Sequence, residues 1–294
     1  MIVKYVNSNG ISFDLESNSL RIKDGNFHKN SWKAKAEEVQ YGDNVKSFTK
    51  QSLIYEITLT LRGNIEKRKR LLDELHDAAE YDIVQNNPGV IWFGDYYIKC
   101  FITLSDTHAS SESSYRTDKK IEIYCPYPFW IKEATKQFLP QSSSDTTDGL
   151  DFPFDFAFDF ASDQVGIAKW SVDHYAPSDF QMIIYGPCTE PRILINDHPY
   201  QIHTELEASD YLIIDSRKNT VTKYLANGTA VNLYNSRNFK YSVFEKIPAG
   251  DLTINWNGSF GFDITLYLER SEPKWGTSDR KNLVTESGSY LVTE

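Results

Sequence analysis

Cysteine is scarce in this 294-residue chain, with only Cys100, Cys125 and Cys188, and no two of them stand in a CxxC pair. That excludes a disulfide framework and a cysteine zinc site, and leaves three small apolar side chains suited to strands. Long apolar runs are also missing. No stretch approaches the roughly 18 residues that a membrane span requires. The opening Met1-Ile2-Val3-Lys4-Tyr5-Val6-Asn7 is too short an apolar run for a signal peptide, so synthesis and folding in a cytoplasm, with no membrane partner, are expected. Basic charge is in deficit, 31 Lys and Arg against 41 Asp and Glu, for a net charge of −10. Such a balance repels phosphate backbones and anionic lipid, so specific nucleic-acid binding is not expected.

Catalytic signatures are lacking too. There is no Gly-x-Ser-x-Gly, Walker A loop, His-Glu-x-x-His or Gly-x-Gly-x-x-Gly, and His28, His76, His108 and His174 are scattered. Asp197-His198 and His203 have no third ligand at a metal-binding spacing. A carboxylate pair for glycoside hydrolysis cannot be singled out from 41 acidic residues. No catalytic, cofactor-binding or metal residue is therefore assigned, no cofactor is expected, and the chain reads as a non-enzyme.

What the chain does have is apolar and aromatic content: 40% hydrophobic residues, with 18 Tyr, 17 Phe and 6 Trp. This is the balance of a folded, strand-rich protein long enough for two domains. Alternation predicts strands in which Tyr55, Ile57, Leu59 and Leu61 share a buried face, as do Ile98, Cys100, Ile102 and Leu104, and Ile121, Ile123 and Cys125. From Asn64 to about Asp82 the period becomes helical, with Ile65, Leu71, Leu72, Leu75, Ala78 and Ala79 on one stripe. Asn64 is the expected N-cap and Asn86-Asn87-Pro88-Gly89 the stop, with Glu66 and Arg70 spaced for a favourable helix pair.

After Trp130 the composition turns polar, and residues 139–149 read as a linker. The expected domains are thus 1–138, with a helix at about 64–82, and 150–275, followed by a tail, 276–294. In the second, Asn227-Gly228 and Asn257-Gly258 are turn signals, and the latter predicts a hairpin between Leu252-Ile254-Trp256 and Phe262-Ile264-Leu266-Leu268. A sandwich or jelly roll follows. The stretch Leu150–Phe160 sets five phenylalanines on one face of an extended chain and Asp151, Asp155 and Asp159 on the other, which is best read as a strand sealing this domain and poorly suited to calcium.

Two groups of residues are candidates for binding. The polar loop 106–118 is longer than a hairpin needs, and its Ser110, Ser111, Ser113, Tyr115 and Arg116 are candidates for docking a partner, with simple disorder as the alternative. Trp170 and Trp256 have the ring faces to stack on a sugar, although Trp256 alternates with Leu252 and Ile254 as a core residue would.

The order of a strand pattern with Gln40-Tyr41-Gly42-Asp43, the helix from Asn64, the polar linker, Leu150-Asp151-Phe152-Pro153-Phe154-Asp155-Phe156, and Leu252–Gly258 running to Tyr267-Leu268-Glu269-Arg270 and Trp275 resembles the phage distal tail protein family of siphophage-type tails. The likeness covers nearly the whole chain, and the Phe-Pro-Phe-Asp-Phe stretch is its most specific part. It implies a mainly β protein with an N-terminal tail-tube-like β-sandwich or split barrel carrying one α-helix, and a C-terminal galectin-like β-sandwich. It further implies a homo-oligomeric, hexameric ring at the virion tail tip, or in a prophage-encoded tail particle, made in the host bacterial cytoplasm. The implied partners are the tail tube protein, the tape-measure end, the tail-associated lysin or spike, and receptor-binding or baseplate proteins. An acidic lumen would let DNA pass without sticking. A second function, a carbohydrate-binding module holding the particle to cell-wall glycans, rests on the two tryptophans alone. Residues 276–294 extend past the point where the family pattern closes, as a free end or as an arm on a neighbour.

Overall fold

A computed structural model describes residues 3–106, 115–141 and 166–275. In chain order the first part contains β1 (Val3–Val6), β2 (Ser12–Asp14), β3 (Leu20–Gly25), β4 (Lys33–Glu38), β5 (Asp43–Thr49), β6 (Leu53–Arg62), α1 (Ile65–Val84), β7 (Gly89–Phe93), β8 (Tyr96–Asp106), β9 (Arg116–Cys125) and β10 (Trp130–Phe138). The later part contains β11 (Gly166–Val172), β12 (Asp179–Tyr185), β13 (Cys188–Thr189), β14 (Arg192–Ile195), β15 (His198–Gln201), β16 (Glu205–Leu206), β17 (Tyr211–Asp215), β18 (Thr220–Tyr224), β19 (Ala230–Asn232), β20 (Gly250–Trp256) and β21 (Phe262–Arg270). The chain forms two compact units: one holds the described residues through Lys132 and those from Glu269 onward, the other runs from Glu133 to Leu268. The chain passes between them inside β10 and returns inside β21, along strands and not through a polar linker, which is why composition places the borders elsewhere.

In the first unit, alternation decides which faces are buried. Tyr55, Ile57, Leu59 and Leu61 of β6 are each 1% exposed or less, and β6 pairs antiparallel with β3 on one side and β9 on the other. The first half of β8 pairs with β7 and its second half with β9, so one long strand serves two ladders, as in a split barrel. A bulge between Ile102 and Leu104 marks the change. It corrects one expectation: Leu104, which alternation puts beside Ile102, is 40% exposed, because an added residue turns the following side chains to the other face.

Asn64 caps α1, its side chain accepting from the Lys67 N–H at 2.8 Å. Leu75, Ala78 and Ala79 are buried, with Leu71 and Leu72 packed partly against the same core, whereas Ile65, in the first turn, is exposed. Two polar helix residues join the buried face. Arg68 donates to Thr117 Oγ1 at 2.9 Å, and Asp82 accepts from Tyr5 Oη at 2.6 Å and from the Ser8 N–H at 2.7 Å. These contacts tie the helix to β9 and β1 and satisfy groups that would be costly to bury alone.

The second unit is a sandwich. One antiparallel sheet has the order β19-β18-β17-β12-β21 with β10 beside β21, and the other has the order β11-β20-β14-β15. Phe180, Met182, Ile184, Leu212, Ile214 and Phe262 from the first share one core with Ile193, Ile195, Leu252, Ile254 and Trp256 from the second. This corrects the hairpin expected at Asn257-Gly258. β20 pairs with β11 and β14, while β21 pairs with β12, so the two strands lie in different sheets. The turn, with Gly258 at φ +76°, is an arch between layers. An arch and a hairpin leave the same alternation in the sequence, since both turn one face of each strand toward a core. At Asn227-Gly228 the chain does form a hairpin, β18 with β19. Only the glycine has positive φ, however, and Asn227 Oδ1 accepts from the Thr229 N–H at 2.9 Å, so the loop is longer than a two-residue type I′ turn.

Candidate assembly surface

Strands β4 and β5 pair with each other and form a two-stranded sheet of their own. Every residue in both is exposed. The register sets Ala34 opposite Phe48 and Ala36 opposite Val45, so these four share one face, while Lys33, Lys35 and Glu37 lie on the other with Ser47, Thr49 and Asn44. The polar face carries a Lys46–Glu37 ion pair of 3.1 Å. The apolar face carries nothing over it among the described residues: Phe48 is 61% and Val45 46% exposed. At the tip, Gly42 takes φ +82° and the Val39 N–H donates to the Gly42 carbonyl at 3.1 Å. An isolated two-stranded hairpin is marginal in water, and an uncovered apolar face adds to that instability.

The base of the hairpin is built differently. Trp32 precedes β4 and Lys50 follows β5, and the Lys50 ammonium lies 5.3 Å from the Trp32 ring centre and 4.5 Å from that of Phe129. Burial against these rings pulls the Lys50 amine down to about 8, with the nearby Glu272 carboxylate opposing the shift. The chain returning from the second unit holds the other side. Tyr127 Oη donates to Glu269 at 2.8 Å, Asn30 donates to Glu272, and Trp275 stacks on His28. The hairpin therefore projects from a fixed base, so that its direction is set while its surface stays open.

The residues singled out from the sequence fall in several places. Ser110, Ser111 and Ser113 lie outside the described residues, as do 142–165, which include the Phe-Asp stretch, and 276–294. Tyr115 is 80% exposed, whereas Arg116 is engaged by Asp118, which also accepts from Lys23 at 2.8 Å and from Thr60 at 2.8 Å. Trp256 is 4% exposed and its indole donates to the Phe260 carbonyl at 3.1 Å, so neither ring face is open to a sugar. Trp170 is half-buried, edge-on to Phe138. His198 Nε2 lies 2.8 Å from the Ser242 carbonyl, and His203 Nδ1 lies 3.3 Å from Glu190. Cys100, Cys125 and Cys188 are unpaired and buried, and burial pushes the Cys125 thiol up to about 12 and that of Cys188 up to about 11. Thiols so shifted are poor nucleophiles. No cluster of three or more His, Cys, Asp or Glu suited to a metal occurs among the described residues.

The strand pattern around Gln40-Tyr41-Gly42-Asp43 is legible, but the separate, uncovered hairpin it forms is what sequence reading missed. Its apolar face is built largely of alanines set between charged residues, in Lys33-Ala34-Lys35-Ala36-Glu37-Glu38, which registers as polar on any hydrophobic count. The better signal is Gln40-Tyr41-Gly42-Asp43, a glycine turn between two short alternating stretches.

No protein-family model matches the chain, and no curated protein matches it. Solved structures do. The SPP1 Dit protein, described as a paradigm of the hub adsorption apparatus in phages infecting Gram-positive bacteria, superposes with a TM-score of 0.61 at 8% identity, covering 92% of this chain and 100% of that one. A chain of the phage P2 baseplate in its activated conformation with calcium gives 0.58 at 11% identity, covering 93% and 100%. The corresponding strontium structure gives 0.59 at 11%, covering 92% and 99%. At these identities the likeness is one of fold, and along almost its whole length this chain has the fold of a phage distal tail protein.

Proposed function

We propose that this protein is a structural, non-enzymatic subunit of a phage tail tip that closes into a ring of its own copies, six in number. The observation that carries the reading is the hairpin Lys33–Thr49: a directed arm whose apolar face, Ala34, Ala36, Val45 and Phe48, has no cover among the described residues. A cyclic assembly supplies that cover without any other protein, because each copy's arm meets the same surface on the next and the contact repeats until the ring closes. The fold shared with a hub protein and a baseplate supports the same reading. In the ring's setting, one side meets the tail tube protein and the tape-measure end, the other meets the lysin or spike, and receptor-binding or baseplate proteins attach outside. The net charge of −10 suits a conduit that DNA must traverse without binding.

The test is sedimentation of the purified chain beside a Val45→Lys, Phe48→Lys double variant. Both side chains are exposed, so the stability of the subunit should change by no more than about 0.5 kcal/mol per site. The wild type should sediment as a discrete oligomer and the variant as a monomer. Equal sedimentation of the two would remove the hairpin from the interface.

A further inference from the structure

In the second unit, the loop between β19 and β20 gathers Tyr234, Arg237, Phe239, Lys240 and Tyr241. Its backbone is held firmly. The His203 N–H donates to the Ser236 carbonyl at 2.7 Å, the Asn238 N–H donates to the Gln201 carbonyl at 3.1 Å, and the Leu233 N–H donates to the Val221 carbonyl at 2.8 Å. The Asn238 side chain adds a bond to Gln201 Oε1 at 3.1 Å. On this fixed loop the rings face outward: Phe239 is 72% exposed, and Tyr234 and Tyr241 are 40% each. The Arg237 guanidinium lies 3.7 Å from the Tyr234 ring centre and 4.6 Å from that of Phe239, and the Lys240 ammonium lies 5.3 Å from Tyr241.

Neither Arg237 nor Lys240 has a carboxylate partner among the described residues. The loop's own carboxylate, Glu245, is exposed, and the residue's bonds to Ser242 and Tyr200 are made by its backbone, while Glu190 is engaged by His203 at 3.3 Å. Two cations without acidic partners, set among exposed rings, are conspicuous in a chain of net charge −10. Arg237 is also pre-arranged: its Nη1 donates to the Tyr234 carbonyl and stacking on the rings fixes the guanidinium plane, so the remaining edge donors are aimed to bind a carboxylate.

We propose that this loop is a docking surface for an acidic peptide segment of a neighbouring protein, with a carboxylate on Arg237 and Lys240 and an apolar side chain against Phe239. The chemistry favours a peptide over a sugar. A sugar needs an open ring face, and the Tyr234 ring is already stacked on Arg237 and on Phe244, the latter at 6.0 Å and 20°. What remains is the Arg237 donors not bonded to Tyr234, the Lys240 ammonium and the largely exposed Phe239 ring, a combination in which arginine and aromatic side chains concentrate binding energy at protein interfaces. The surface lies on the other unit from the hairpin, so the inference does not depend on ring formation.

The experiment titrates the full-length protein with a fluorescent ten-residue peptide alternating aspartate with phenylalanine and leucine, and with the same peptide carrying asparagine for aspartate. Arg237→Gln and Phe239→Ser are the variants, each checked for wild-type unfolding. The aspartate peptide should bind the wild type, lose about tenfold in affinity with either variant, weaken as salt is raised, and outbind the asparagine peptide. No binding, equal binding by the variants, or equal binding of the asparagine peptide would overturn the proposal. So would tighter, variant-sensitive binding of poly(glycerol phosphate), which would make the surface a receptor for an anionic wall polymer.

Discussion

Trp275 stacks on His28 with ring centres 3.6 Å apart and planes 14° from parallel. Trp275 lies on the chain that has come back from the second unit, and His28 lies just before the strand that opens the exposed hairpin. Together with the contacts of Glu269 and Glu272, this pair makes the end of the described chain a brace for the hairpin's base.

Trp275→Ala should therefore loosen the hairpin without unfolding either unit. A stacked pair of this kind is worth about 0.5–1.5 kcal/mol. Hydrogen exchange should quicken at residues 32–50, while strands of the second unit, such as β12 and β21, keep their protection.

Lys50 makes the first unit pH-dependent at the alkaline end. Its folded value, about 8, lies below the ordinary 10.5, chiefly because of burial. Between these values the unfolded chain holds more protons than the folded one, so this residue's contribution to stability rises with pH across that window. Denaturant unfolding at several pH values should show the rise in wild type and a flatter profile in Lys50→Met.

Asp118 gives a dependence of the same sign at low pH. Hydrogen bonding from Arg116, with further bonds from Lys23 and Thr60, holds its carboxyl far below the ordinary 3.8. Its stabilisation is complete above that ordinary value and is lost as pH falls through the lower folded one. Asp118→Asn should cost about 1 kcal/mol at neutral pH, a modest sum because Arg116 and Lys23 are largely exposed. Urea midpoints at pH 6 and pH 3 should converge with those of the wild type on acidification.

Trp256→Ala should cost about 3–5 kcal/mol through loss of a filled core site, whereas Trp170→Ala, at a half-buried position, should cost much less. Gly166→Ala should also destabilise the second unit, by about 1–3 kcal/mol through overpacking, since its Cβ would come within 2.6 Å of the Trp256 ring. Urea unfolding of the three variants checks the ranking.

Legibility of the sequence followed the physics of burial. Tyr55 to Leu61 and Ile121 to Cys125 were readable because a half-buried strand imposes period two on side-chain polarity. The helix from Asn64 was readable because its cap and apolar stripe are local. The fate of Leu104 was not, since a single-residue bulge leaves no mark on composition. Nor was the arch at Asn257-Gly258, because the choice between one sheet and two is made by partners far along the chain. The Arg68–Thr117 and Tyr5–Asp82 contacts, and the loop around Arg237, join residues that only tertiary packing brings together. The hairpin escaped notice because its uncovered face is half alanine.

Native mass spectrometry of the full-length protein over a range of concentrations tests the central claim most directly. A dominant species of six copies, lost in the Val45→Lys, Phe48→Lys variant, is the result this account predicts. A monomer at every concentration, with the hairpin variant indistinguishable from it, would contradict the account.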